Sequence, residues 1–381
     1  MNSRMSKEIK KEKNRSKLFN VADNKWGHPE SVASGSFLSA VDGATAFAGA
    51  EGLDAEGTDA YQNENYIKQI RDVYEQAALE EWKKCVYSEY FTDHGCPEEP
   101  DAKPVRILVR TPDHVKDDER LPVIFDIPGG GLAACGTPET TMTYANRYIT
   151  EQKLRVIHVS FQYRLAPGNP YPAAINDGHA AYLWMLENAD KLHINTDAIV
   201  ITGSSSGGNL CLSLGFRLKR YNWCGSQMPR GIVPISPIMD DVAFNQSNLY
   251  SFDSEMGHLS CDRFTLAKPW KWWLGDRYGD PNLSPEAVPN RATAEDIKGY
   301  PPVWFPVMPE FDPGRDSGYE FAKLLHNAGI FCDLHVWGAS SHTVTYSTGE
   351  FEKRIWAVIG GAMRDATTFD FRRQWLLEQD K

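Results

Sequence analysis

From residue 104 onward, short apolar runs alternate with longer stretches whose apolar positions recur every three or four residues. "PVRILVRTP", "LPVIFDIP" and "LRVIHVSFQY" are short, rich in β-branched residues and bounded by Pro or polar residues, which predicts three strands. "NDGHAAYLWMLENADKL" has a helical period, "DAIVITG" reads as a strand, and "GNLCLSLGFRLKRY" reads as a helix. The series continues with strands in "RGIVPISPI" and "PPVWFPVMP", a helix in "GRDSGYEFAKLLHNAG", a strand in "IFCDLHVW" and a last helix in "FEKRIWAVIGGAM". Buried strands in alternation with helices predict an α/β fold whose mostly parallel sheet is covered on both faces.

Two regions break the alternation. Residues 1 to about 60 hold Gly, Ala and Ser with apolar residues too scattered for one period. The next stretch, residues 66–91, places Ile67, Ile70, Val73, Tyr74, Ala77 and Ala78 at helical spacing and predicts an amphipathic helix. Residues 240–299 are rich in Asp, Asn, Pro and aromatics and read as an insertion over one end of the sheet.

Composition narrows the partners. A formal net charge of -11 disfavours nucleic acid or an anionic membrane surface. No stretch is long and apolar enough for a membrane span. The seven cysteines are dispersed without close pairs, which reads as reduced thiols in a cytoplasmic protein. The basic N-terminus lacks the apolar segment of a secretory signal and reads as a solvated tail. A homodimer is left open.

The chemistry centres on "IVITGSSSGGNL", residues 199–210. A strand runs into three serines and a helix follows at once, which is the context of a G-x-S-x-G nucleophile elbow. Only Ser205 has glycine both two before, Gly203, and two after, Gly207. A serine hydroxyl needs a base to take its proton. Most of the ten histidines fall inside predicted strands and helices or outside the sheet pattern. His342 follows the strand "CDLHVW" through a short loop, at the carboxyl edge where open α/β sheets bind ligands. The preceding strand delivers Asp312 to the same edge, in the order Ser, Asp, His. Asp316 is the rival acid, and its competing role is a first-turn helix carboxylate paired with Arg315.

The strand "PVIFDI" ends in Pro128-Gly129-Gly130-Gly131. Glycines let a loop bring backbone N–H donors close to a developing oxyanion. "GGGLAA" also meets a relaxed dinucleotide fingerprint, but the next strand ends at Gln162, with no carboxylate for a ribose. No cofactor and no metal is therefore expected.

Four ordered blocks carry a resemblance. "IPGGG", "FQYRLAPGNPYPAAINDGHAAYLWM", "ITGSSSGGNL", and "PEFDPGRDSGYEFAKLLHNAG" with "SSHTV" are similar to the blocks of the hormone-sensitive-lipase-like family of α/β-hydrolase carboxylesterases. The resemblance spans roughly residues 100–365 and implies an α/β-hydrolase fold with a mainly helical cap. It implies Ser205 as nucleophile, His342 as general base and then acid, and Asp312 as the orienting acid. The N–H groups of Gly130, Gly131 and Ser206 would form the oxyanion hole. The implied organisation is an N-terminal tail and cap helices in 1–100, a first core part in 101–239, a cap insertion in 240–299 and a second core part in 300–381. Trp270, Trp272 and Trp273 either line the acyl pocket or fill the core of the cap. Pro128 stands where the family usually has His, and Ser204 and Ser206 replace its usual Asp and Ala.

The activity so implied is that of a serine carboxylesterase on a small-molecule ester of small to medium acyl length. Two other uses of the scaffold are lyase or lactone chemistry on a specialised metabolite, which the Pro128 loop leaves open, and receptor-like binding, which the retained triad disfavours.

Overall fold

The computed structural model describes residues 87–371 other than 134–135, 222–226, 243–262, 311, 313, 339, 341 and 343–348. In chain order its strands are β1 (Ser88–Phe91), β2 (Arg106–Arg110), β3 (Leu121–Ile127), β4 (Ile157–Phe161), β5 (Ile194–Ser204), β6 (Gly231–Ile235), β7 (Val303–Pro309) and β8 (Cys332–Trp337). The α-helices are α1 (Pro138–Glu151), α2 (Ala173–Glu187), α3 (Ser206–Arg220), α4 (Arg263–Leu274), α5 (Ala294–Ile297), α6 (Arg315–Asn327) and α7 (Gly349–Thr368).

All eight strands form one sheet in the order β1-β2-β4-β3-β5-β6-β7-β8. The pairings of β1 with β2 and of β2 with β4 are antiparallel, and the rest are parallel. Every strand and helix predicted from residue 104 onward is present, so the mostly parallel sheet is borne out.

Period-two alternation explains why both faces are dry. In β3, Val123, Phe125 and Ile127 point into a core shared with α2, α3 and α6, while Ile124 joins a second core under α1 and α7. β7 repeats the division, with Val303 and Phe305 on one side and Trp304 and Val307 on the other. Each such fully buried side chain contributes about 1.5–3 kcal/mol by leaving water.

Two elements differ from the sequence expectation. The helix expected over 66–91 lies mostly outside the described residues, but its end, Ser88–Phe91, is strand β1. There Tyr90 packs against Trp184 with ring centroids 5.2 Å apart, and pairing with β2 overrides the helical spacing. Helix α1 was not anticipated. Its buried Thr141, Ala145, Tyr148 and Ile149 keep helical spacing, but the threonines and Asn around them weaken the apolar signal. Helix α4 falls within the irregular 240–299 stretch, with Pro269 inside it.

The strand order also places the site. The chain goes from β3 outward to β4 and returns to β5 on the other side of β3, so the switch point lies between β3 and β5. Ile127 pairs with Gly203, and Ser204 pairs with Ile235 of β6. The ends of β3, β5 and β6 thus stand side by side.

Candidate active site

Ser205 sits between β5 and α3 with φ 56° and ψ -119°, a conformation L-residues rarely adopt. Its backbone is held on both sides. The N–H donates to Ile235 O at 2.9 Å, and the carbonyl accepts from Asn209 N at 3.1 Å and Ile238 N at 3.3 Å. The flanking glycines are required by contact. A Cβ at Gly207 would come within 2.1 Å of Ile127 O, and one at Gly203 within 2.4 Å of Gly207 O. The elbow therefore packs directly on the end of β3, where the Pro128 loop begins.

His342, after β8, has Nε2 2.8 Å from Ser205 Oγ. Its other nitrogen, Nδ1, lies 2.6 Å from Asp312 Oδ2. Asp312 is fully buried after β7, and its Oδ1 accepts from Gly314 N at 2.7 Å. A buried carboxylate accepts, so Nδ1 carries the hydrogen and Nε2 turns its lone pair to Ser205. Burial works to lower the His342 pKa, but the charge of Asp312 and its hydrogen bond outweigh it, and the net direction is upward. Asp316 takes the other role weighed for it. It lies in the first turn of α6 with its Oδ1 2.9 Å from Arg315 Nε.

The loop after β3 runs beside this constellation. Gly130 has φ 128° and Gly131 φ 65°, both in the region that favours glycine. A Cβ at Gly129 would meet Ser204 O at 2.7 Å, so the loop lies against the elbow backbone. Ser206 opens α3, and the first N–H groups of a helix have no partner within it.

Trp270 and Trp273 are buried in the main core, 5.5 Å apart, and Trp273 meets the Tyr171 ring edge-on at 5.3 Å. Their burial favours core filling for these two rings. Trp272 is partly buried against the same core.

The "YRLAP" segment, residues 163–167, holds the strand ends and the loop after β3 together. Tyr163 Oη donates to Pro128 O at 2.9 Å. Arg164 ties its segment to Asp177 of α2, with Nε 2.9 Å from Oδ1, and to Glu99, with Nη2 2.7 Å from Oε2. The Arg164 hydrogen bond leads in holding the Glu99 pKa at about 2. The polar positions inside otherwise apolar segments, Asp177 and Asn176 among them, were the available signal.

Cys96, Glu98 and His179 offer ligand atoms within 4.8 Å of one another. Glu98, however, already pairs with Arg217 at 3.2 Å and Arg220 at 2.6 Å, and both guanidiniums also bind Glu286. A cation there would face two fixed positive charges, so the cluster reads as an ion-pair node between the 92–102 loop, α3 and the 284–288 turn.

Fold and site together define a class, and comparison with known proteins agrees. Residues 125–345 match the alpha/beta hydrolase fold family, and the chain belongs to it. It is 31% identical over 233 residues to carboxylesterase NlhH of Mycobacterium tuberculosis, covering 61% of this chain and 67% of that protein. It is 32% identical over 133 residues to mouse hormone-sensitive lipase, covering 35% of this chain and 17% of that protein. Among solved structures, a bacterial heroin esterase superposes with a TM-score of 0.70 at 23% identity, covering 89% of this chain and 99% of that one. The resemblance to the hormone-sensitive-lipase-like branch is borne out. Among the described residues no helix is long and apolar enough to cross a membrane.

Proposed function

We propose that the protein is a serine carboxylesterase that hydrolyses small-molecule esters of small to medium acyl length through an acyl-enzyme on Ser205. The observation that carries this reading is the hydrogen-bonded series Ser205, His342, Asp312, with contacts of 2.8 and 2.6 Å. Its similarity to a carboxylesterase over 61% of the chain supports the same reaction class.

As Ser205 Oγ attacks the ester carbonyl, His342 Nε2 takes its proton. Asp312 holds the ring in the correct tautomer and stabilises the imidazolium. The carbonyl oxygen gathers negative charge and is met by the N–H groups of Gly130, Gly131 and Ser206, preorganised by the glycine loop and the start of α3. Collapse of the tetrahedral intermediate breaks the C–O bond, and the imidazolium protonates the departing alkoxide. Water, deprotonated by the same Nε2, then attacks the acyl carbon and frees the acid and Ser205.

Of the cap expected in 1–100 and 240–299, residues 1–86 and 243–262 lie outside the described residues, and Ser88–Phe91 joins the sheet itself. The buried free thiols of Cys96 and Cys211 fit a cytoplasmic setting.

A p-nitrophenyl ester series from acetate to octanoate, run beside a fluorophosphonate probe read by intact mass, tests the proposal. Short esters turn over, the probe adds once, and Ser205→Ala abolishes both. Folded protein that shows neither turnover nor labelling overturns the reading.

A further inference from the structure

The loop that carries Gly130 and Gly131 starts with a residue that has no N–H. Pro128 cannot donate a hydrogen bond, and its ring fixes only φ. Its remaining freedom, ψ, sets the direction in which the loop leaves β3. The Pro128 carbonyl is buried, and Tyr163 Oη donates to it at 2.9 Å.

Two backbone bonds from the same segment continue the attachment. Ala166 N donates to Leu132 O at 3.0 Å, and Tyr163 N donates to Gly136 O at 3.2 Å. The three glycines are therefore strung between two anchored carbonyls, at Pro128 and Leu132. Glycines lose more conformational freedom on ordering than other residues, so donors placed on them need such anchors to stay aimed.

The anchor is itself rigid. Tyr163 is buried, and its ring lies 6.3 Å from that of Phe161 at the end of β4. The neighbouring Arg164 is fixed by Asp177 and Glu99.

We propose that Tyr163 is a positioning residue for the oxyanion loop, acting through the Pro128 carbonyl to set the Gly130 and Gly131 N–H groups. The proposal rests on the esterase reading of the site for its effect on rate, and on the loop geometry alone for its effect on order.

Tyr163→Phe removes one oxygen and leaves the ring. The control is Tyr300→Phe, which deletes a buried hydroxyl that donates to Leu212 O at 2.7 Å in the same core, away from the loop. With p-nitrophenyl butyrate, Tyr163→Phe lowers kcat about tenfold, a fraction of the loss from deleting an oxyanion donor outright. KM stays within about twofold, because the lost interaction is made in the transition state. Affinity for an alkyl trifluoromethyl ketone, which forms a tetrahedral oxyanion on the serine, falls by a similar factor. Tyr300→Phe loses comparable thermal stability and keeps kcat and inhibitor affinity.

Hydrogen exchange supplies a readout independent of catalysis. Amides of residues 129–132 exchange faster in Tyr163→Phe than in the wild type and are unchanged in Tyr300→Phe. If the wild type turns over no ester, the esterase reading falls and the exchange comparison decides the positioning role. Unchanged exchange at 129–132 overturns it, as does a Tyr163→Phe enzyme that keeps both kcat and inhibitor affinity.

Discussion

Asp312 and His342, on the loops after the neighbouring strands β7 and β8, are joined by a 2.6 Å contact between Oδ2 and Nδ1. Asp316 is only four positions from Asp312, yet it faces Arg315. Asp312→Asn is therefore expected to lower kcat by about 10⁴, because an amide no longer enforces the tautomer that aims the Nε2 lone pair at Ser205. Asp316→Asn retains most of the activity. Steady-state kinetics of the two variants on one p-nitrophenyl ester distinguishes them, and the reverse order moves the acid to Asp316.

The same contact sets a pH dependence. Burial lowers the His342 pKa, Asp312 raises it more, and the net value lies above the ordinary 6.5. The base works only when neutral, so kcat/KM falls as pH drops through that raised value. The acid limb is expected above pH 6.5 in the wild type and shifted to lower pH in Asp312→Asn, read from kcat/KM between pH 5 and 9.

The elbow stores backbone strain that is measurable without substrate. At φ 56° and ψ -119°, Ser205→Ala keeps the unfavourable conformation, whereas Ser205→Gly releases it. Strain of this kind costs about 1–3 kcal/mol, and glycine's larger unfolded-state entropy offsets part of the relief. Urea unfolding is expected to find Ser205→Gly more stable than Ser205→Ala by about 1 kcal/mol.

Gly207→Ala tests the packing of the elbow on β3. The added Cβ would stand 2.1 Å from Ile127 O, and the backbone has to shift to admit it. Overpacking of this kind costs about 1–3 kcal/mol, and the shift also moves Ser205 relative to the Pro128 loop. A lower Tm together with a lower kcat is expected, and a variant unchanged in both contradicts the close packing.

Glu98 and Glu99 link the 92–102 loop to the core and make it acid-sensitive. Burial raises the Glu98 pKa, but Tyr221, Arg217 and Arg220 prevail and hold it at about 2, and Glu99 is also held at about 2 by Arg164. Folded values below the unfolded value of 4.5 mean that the stabilisation is present above pH 4.5 and lost as pH falls through 2. Thermal unfolding from pH 6 to 2 is expected to show a shallower decline in Tm for Glu99→Gln than for the wild type.

Much of this was legible beforehand because the signals are local. The register of Gly203 and Gly207 singled out Ser205 from its two neighbours, and the chain order of the ends of β5, β7 and β8 gave Ser205, Asp312 and His342. Short apolar strands in alternation with helices announced a mostly parallel sheet with two covered faces. Where the reading stopped, a distant partner mattered more than local period. Ser88–Phe91 is a strand because β2 is beside it, and α1 is a helix although its apolar positions are few.

The amino-acid order by itself determined the α/β alternation and singled out Ser205, Asp312 and His342 as candidates at strand ends, since each depends on the pattern of its own segment. Tertiary structure alone brought the partners into contact: Asp312 meets His342, Asp316 pairs with Arg315, and Trp270 and Trp273 are buried in the core. It also revealed that Tyr163 holds the carbonyl of Pro128. Those outcomes depend on which side chains meet across strands and helices far apart in the chain, and periodicity within a segment carries no information about the partner it will meet.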